Sequence, residues 1–364
     1  MSRRFIAQRA TTKQFLHFDL PIEGSPVREL SGPGSFSTEI EPEVGGLIAE
    51  DGRPVLEPWG TFLFLEEDGL IRWGGIVIDV AFDGPKMSIE AAGFTTYPHG
   101  IPYLGSYSAI DKDPADIVRH IWGSLQAKPD GDLAMTVIGT TSARIGQEEE
   151  EVSFTTETGE VVEFTAGPYT LEWFDYPDAG REIDDLADEA PFDWVEEHRW
   201  NADKTAIIHE MRIADRIGGT RNDLRFVQGE NVSEVIAWEV DGDEFANEVI
   251  GVGVGEGKGA VRSEIARRDG RLRRVRVLER KDVRTRARLD AMTRAELNAS
   301  AGAPIASSIT IRDHPHAPLG AVGLGDVIRV QADADWLGPT EFVARVVAIQ
   351  LTSESSAELS LEPA

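Results

Sequence analysis

The sequence predicts a β-rich α+β fold: two barrel-like β lobes with a few helices inserted between them. Three observations carry this. Short aromatic or β-branched runs separated by turn clusters fill the first hundred residues, the same texture returns over the last sixty, and capped helical periodicity is confined to the middle. Short strands at this spacing suit an antiparallel barrel or sandwich.

The first strand-like runs are Thr12 to Leu20, Gly34 to Glu41, Gly60 to Leu65, Leu70 to Phe82 and Lys86 to Phe94. Ser31-Gly32-Pro33-Gly34, Glu67-Asp68-Gly69 and Asp83-Gly84-Pro85 punctuate them as turns. Trp73-Gly74-Gly75-Ile76 sits inside one long run, where paired glycines permit a bulge or sharp bend.

A helix is predicted from Asp113-Pro114, with aspartate as N-cap, proline in the first turn and Asp116 at the positive dipole end. Ile117, Ile121 and Leu125 give it one apolar face, and Pro129-Asp130-Gly131 ends it. An acidic β-like segment follows, then a second helix over Arg181 to Ala190 and a hairpin of Trp194 to Trp200 with Thr205 to Ile213. Further strands are expected at Val232 to Val240, Glu248 to Val254, Ala260 to Ala266 and Arg273 to Glu279, and a third helix from about Arg284 to Ala299. The tail reads as β at Ile309 to Arg312, Asp326 to Gln331, Phe342 to Gln350 and Ala357 to Leu361. These elements divide the chain into a β lobe over residues 1–98, a helical and acidic insertion over 99–200, a second β lobe over 201–300, and a segment over 301–364 that completes an earlier lobe.

The chain has 364 residues, 41% hydrophobic and 27% charged, enough for roughly two to four domains. No apolar run reaches the ~20 residues of a membrane span, and the basic start Met1-Ser2-Arg3-Arg4-Phe5 lacks a following signal-type apolar stretch. The absence of cysteine excludes disulfides, thiol catalysis and thiolate metal sites, and fits synthesis in a cytoplasm or a source that avoids cysteine.

A formal net charge of −28 opposes non-specific nucleic-acid binding. The charge is segregated. Residues 148–197 hold eighteen acidic side chains against Arg181 alone, whereas residues 262–294 hold twelve arginines and Lys281 against five acids. Opposite patches on one chain suit docking between copies or onto a partner, or are two solvated faces.

Candidate chemistry is thin. Gly251, Gly253, Gly255, Gly257 and Gly259 alternate strictly, which invites a phosphate-binding reading. The dinucleotide fingerprint fails because Lys258 stands where its last glycine belongs; the P-loop fails because Val252 replaces its first glycine and no Ser or Thr follows Lys258. Val261 to Ile265 alternates like a strand, so the comb is read as a flat strand face that a neighbour approaches closely.

His314-Pro315-His316 is the one close histidine pair, without an evident third metal ligand. Glu172, Asp175, Asp184, Asp185, Glu196 and Glu197 are carboxylates without a motif that sets a catalytic separation. Gly105-Ser106 lacks the nucleophile-elbow pattern, and His209-Glu210 is not continued to H-E-x-x-H. Trp59, Trp73, Trp122, Trp173, Trp194, Trp200, Trp238 and Trp336 are scattered, which favours packing over a binding platform. No catalytic, cofactor-binding or metal-binding residue is assigned.

Several segments in order resemble minor tail proteins of actinobacterial siphoviruses, over roughly residues 60–360. They are Trp73-Gly74-Gly75-Ile76-Val77 with Phe82-Asp83-Gly84-Pro85; Asp113 to Val118; Ala246-Asn247-Glu248-Val249-Ile250 with the comb; and His314 to Gly320 with Gly325-Asp326. The resemblance implies a non-enzymatic tail-tip or baseplate hub in the virion. Such a hub is a homotrimer that adapts a six-fold tail tube to a three-fold tip and forms part of the DNA conduit. Its implied partners are the distal tail protein or tail tube, the tape measure protein and other tail-tip proteins, with DNA passing unbound. The alternatives are a carbohydrate-active or peptidoglycan-degrading tail enzyme and a receptor- or carbohydrate-binding module.

Overall fold

The computed structural model describes residues 3–83, 86–155, 161–233, 235–236, 238–239, 242, 245–255, 259–280, 283, 286–300, 305–334 and 338–364. The expected turn residues Gly84 and Pro85, Arg284 of the third helix, Val240, Gly257, Lys258 and Trp336 lie outside them.

The first lobe comprises β1 (Arg3–Arg9), β2 (Phe15–Leu20), β3 (Val27–Glu29), β4 (Ser35–Ile40), the short α1 (Pro42–Gly45), β5 (Thr61–Glu67), β6 (Leu70–Asp83) and β7 (Lys86–Ala92). Its strands lie in the order β3-β4-β7-β6-β5-β1-β2. Phe62-Leu63-Phe64-Leu65 is a continuous apolar run because β5 is covered on both faces. Phe62 and Phe64 enter one core with Ile117, Ile121 and Trp122, while Leu63 and Leu65 enter another with Phe5, Phe36 and Trp73.

The middle carries β8 (Ser106–Ala109), α2 (Pro114–Gln126), β9 (Met135–Thr140), β10 (Glu150–Thr155), β11 (Val161–Ala166), β12 (Tyr169–Glu172), α3 (Ala179–Glu189), β13 (Asp193–Trp200) and β14 (Ile207–Ala214). β13 and β14 form the expected hairpin, and β9 adds parallel to β14. Asp113 caps α2 through Ala115 N–H at 2.9 Å and also accepts from Thr141 N–H at 3.0 Å, so one carboxylate fixes both the helix start and the end of β9.

The rest of the chain holds β15 (Phe226–Val227), β16 (Trp238–Glu239), β17 (Glu248–Val252), β18 (Arg262–Ala266), β19 (Val275–Glu279), α4 (Arg286–Ala299), β20 (Ile305–Ala306), β21 (Ser308–Arg312), β22 (Val327–Ala334), β23 (Gly338–Ser353) and β24 (Ser356–Pro363). A small sheet β18-β17-β19 packs under α4 through Leu289, Thr293 and Leu297. β23 pairs with β22 and β24, and over Ala348 to Gln350 it also pairs with β3. That last pairing makes the first lobe and the C-terminal strands one twelve-stranded sheet.

Several expectations need correction. Among the described residues no sheet closes: the strand path runs open from β15 to β2, so the lobes are two ends of one branched sheet rather than two barrels. β1 was not expected at all, because Arg3, Arg4, Gln8 and Arg9 mask its alternation. The glycines of β6 do not themselves bulge. The register slips at Arg72, between the pairs Leu65–Trp73 and Glu66–Ile71. A Cβ on Gly74 would lie 2.7 Å from the Phe64 ring, and one on Gly75 2.6 Å from Ala92 O, so both glycines serve close packing. Of the run Val232 to Val240, only Trp238–Glu239 is strand among the described residues.

Candidate assembly surfaces and polar clusters

The glycine comb splits into parts with different work. Gly251 lies in β17 facing α4, where a Cβ would meet Thr293 Oγ1 at 2.2 Å and Leu289 at 3.1 Å. The strand stops at Val252, which corrects the expected continuous flat strand. Gly253 N–H bonds Val261 O at 2.7 Å, a Cβ there would meet Val283 O at 2.6 Å, and Gly255 adopts φ +106°, which turns the chain away. The segment after the comb forms β18, antiparallel to β17, rather than a helix whose N-terminus could receive phosphate.

The arginine-dense stretch builds the small sheet. Glu248, buried in β17, accepts from Arg273 Nε at 2.8 Å and lies 3.5 Å from Arg268, and the Arg273 guanidinium holds its carboxyl below the usual range. Arg276 reaches Glu296 of α4 at 2.9 Å, and Arg271 stacks over Phe245 at 3.7 Å. With α4 covering one face, Leu272, Val275 and Val277 stand exposed among the arginines. The strand registers give the face opposite α4 Ile250, Val252, Ala266, Val275 and Val277 with Glu264, Glu279 and Arg262, so it is apolar with mixed charge, and Arg268 and Arg273 reach Glu248 at its end.

The carboxylates singled out in the sequence are dispersed. Glu172 accepts from Ser106 at 2.7 Å, Glu197 from Arg212 at 2.9 Å, and Asp184 lies 3.9 Å from His99 with its carboxyl pushed above the usual range by burial. Asp184 lines a cavity of about 300 Å³ with Thr95, His99, Trp122, Ile183 and Trp194. The indole N–H groups of Trp122 and Trp194 are buried without a protein partner. Glu196 accepts from Phe94 N–H, Thr95 N–H and Thr95 Oγ1. Beside it, His198 Nδ1 and His209 Nδ1 are 3.1 Å apart, and His209 stacks on Phe64 and Phe94. Burial, then the neighbouring His198 and Lys13, hold the His209 imidazole well below its ordinary value, so it stays neutral.

The tryptophans divide. Trp73, Trp122 and Trp194 are core residues, whereas Trp59 and Trp173 are about half exposed, contrary to a purely packing role. Trp173, Phe174 and Tyr176 form an exposed aromatic knob after β12, with Tyr176 in the left-handed region at φ 49°. His314 and His316 sit on a tight turn after β21, and the fold brings Glu230 to them, with His316 Nδ1 2.9 Å from Glu230 Oε1. No spacing signal in the sequence connects Glu230 to this pair.

No protein-family model matches the chain, and no curated protein matches it in sequence. Among solved structures, the 43 kDa tail protein of prophage MuSo2 from Shewanella oneidensis superposes with TM-score 0.57 at 13% identity, over 99% of this chain and 98% of that one. A prophage tail protein from Listeria monocytogenes gives TM-score 0.53 at 11% identity, covering 98% and 94%. A tail protein from Neisseria meningitidis gives 0.52 at 11%, covering 100% and 97%. At such identities the likeness is one of fold, and it runs end to end: the chain has the fold of phage tail proteins.

Proposed function

We propose that this chain is a structural component of a phage tail tip, a hub subunit that acts by assembly rather than catalysis. The observation that carries the reading is the end-to-end likeness to three tail proteins, each also covered over nearly its whole length. The actinobacterial siphovirus source, the trimeric hub and the DNA conduit are the parts of the proposal that rest on sequence resemblance alone.

In this reading the subunit forms a homotrimer, two lobes per copy giving a pseudo-six-fold ring between a six-fold tube and a three-fold tip. The arginine-dense stretch of residues 262–294 on one copy docks on the acidic 148–197 segment of the next. That contact is heterologous and closes into a ring when its rotation fits three subunits. The distal tail protein or tube, the tape measure protein and other tip proteins complete the neighbours. A net charge of −28 keeps passing DNA from adhering to the channel wall. Units at 1–98, 99–200, 201–300 and 301–364 remain the proposed division, and the pairing of β23 with β3 supports a last segment that completes the first lobe.

Mass in solution and electron microscopy of the purified chain test this. A three-subunit ring supports the hub; a chain that stays monomeric at high concentration and low salt, or that digests purified cell wall, overturns it. The exposed knob of Trp173, Phe174 and Tyr176 favours one second reading, a receptor- or carbohydrate-binding face. Glycan-array binding lost on Trp173→Ala would favour that reading.

A further inference from the structure

We infer that Glu230, His314 and His316 form a surface site for one divalent transition-metal ion, Zn²⁺ foremost. Ligand atoms from the three side chains all lie within 4.8 Å of one another. His316 Nδ1 is 2.9 Å and His314 Nε2 3.8 Å from Glu230 Oε1. Zinc takes bonds of about 2.0–2.2 Å to imidazole nitrogen and carboxylate oxygen, so tetrahedral ligands stand roughly 3.3 Å apart. The observed spacings bracket that value, and small rotations of the exposed His316 and the half-buried His314 imidazoles reach it.

The backbone beneath the ligands is held on both sides. Ala317 N–H bonds His314 O at 2.9 Å and closes the histidine turn, while Pro315 fixes its own φ. In the facing turn the buried Asn231 side chain accepts from Val227 N–H at 2.8 Å and donates to Arg225 O at 2.7 Å. Two backbone bonds cross between the turns, Arg225 N–H to His316 O at 3.1 Å and Arg312 N–H to Asn231 O at 2.8 Å. The turns therefore present their ligands from a braced frame, which lowers the ordering cost of binding. Arg225, 3.9 Å from the other Glu230 oxygen, steadies the carboxylate.

Two imidazoles with one carboxylate form a borderline donor set that prefers Zn²⁺, Co²⁺ or Ni²⁺ to Ca²⁺ or Mg²⁺, which need more oxygens. The fourth position opens to solvent and takes water. One contact must yield: His316 N–H donates to His314 Nδ1 at 3.2 Å, and that nitrogen carries the proton once Nε2 binds metal. The ion would clamp the turn after β15 to the turn after β21. This proposal stands on local geometry and fails or holds independently of the hub reading.

Chelator-treated full-length protein titrated calorimetrically with ZnCl₂ is expected to take up one ion per chain saturably, with CaCl₂ silent. His314→Gln, His316→Gln and Glu230→Gln should each weaken binding by about tenfold or more, while His99→Gln leaves it unchanged. As a measurement that needs no variant, zinc should protect His314 and His316 from diethylpyrocarbonate, read by mass spectrometry. Absent saturable uptake, uptake undiminished in a folded His314→Gln/His316→Gln chain, or unprotected histidines at saturating zinc would each overturn the site.

Discussion

The Glu196 carboxylate accepts the backbone N–H groups of Phe94 at 2.8 Å and Thr95 at 2.7 Å, so a side chain of β13 supplies hydrogen-bond acceptors to the bend that follows β7. The contact joins the first lobe to the central hairpin. Glu196→Ala leaves two largely buried donors unsatisfied and should cost about 2–4 kcal/mol. Urea unfolding of the variant measures this, and a loss below half a unit of midpoint concentration with unchanged slope would argue for water taking over the bonds.

Acid sensitivity follows from His209. Its folded value lies well below the ordinary 6.5, so below that pH the unfolded chain binds a proton that the folded chain refuses. The contribution is complete above pH 6.5 and is lost as pH falls toward the folded value, at about 1.4 kcal/mol per pH unit for one proton. Thermal melts between pH 7 and 4.5 should show this slope in the parent chain and a shallower one in His209→Leu. Equal slopes would remove His209 as the cause.

Gly251 admits α4 by lacking a side chain. Gly251→Val drives a branched group into Thr293 and Leu289 and should destabilise by about 1–3 kcal/mol or more. Thr293→Ala removes the nearest obstacle, so the Gly251→Val/Thr293→Ala pair is expected to recover part of the loss. Chemical denaturation of the two single variants and the pair reads that coupling directly.

The proposed contact between copies depends on charge. Arg274→Glu with Arg280→Glu reverses two charges of the small sheet without touching the Arg273–Glu248 pair, and should shift association toward monomer. Raising ionic strength should do the same in the parent chain. Sedimentation velocity across a salt series decides, and association that strengthens with salt would point to an apolar contact instead.

Where local rules govern, the sequence was easy to read. Asp113 and Pro114 announced α2, and the Asn201 to Lys204 turn announced the β13–β14 hairpin. β1 was hidden because Arg9, a polar residue by pattern, is buried by pairing with Asp51 and Glu57, an arrangement visible only once the loop is folded. The open sheet was hidden for a related reason: strand spacing predicts how many strands form, not whether the last one pairs with the first. Glu230 was invisible as a partner of His316 because 86 residues of chain separate them.

The seam between β3 and β23 has a temporal meaning. Gln350 Nε2 donates to Ser25 O at 2.8 Å across 325 residues of chain. During synthesis, Val27 to Glu29 leave the ribosome long before Ala348 to Gln350 exist, so one edge of the nascent first lobe waits open. Such an edge is a template for the wrong strand. A late-arriving strand that caps it makes the joining of the two ends of the sheet wait on the β23–β24 hairpin.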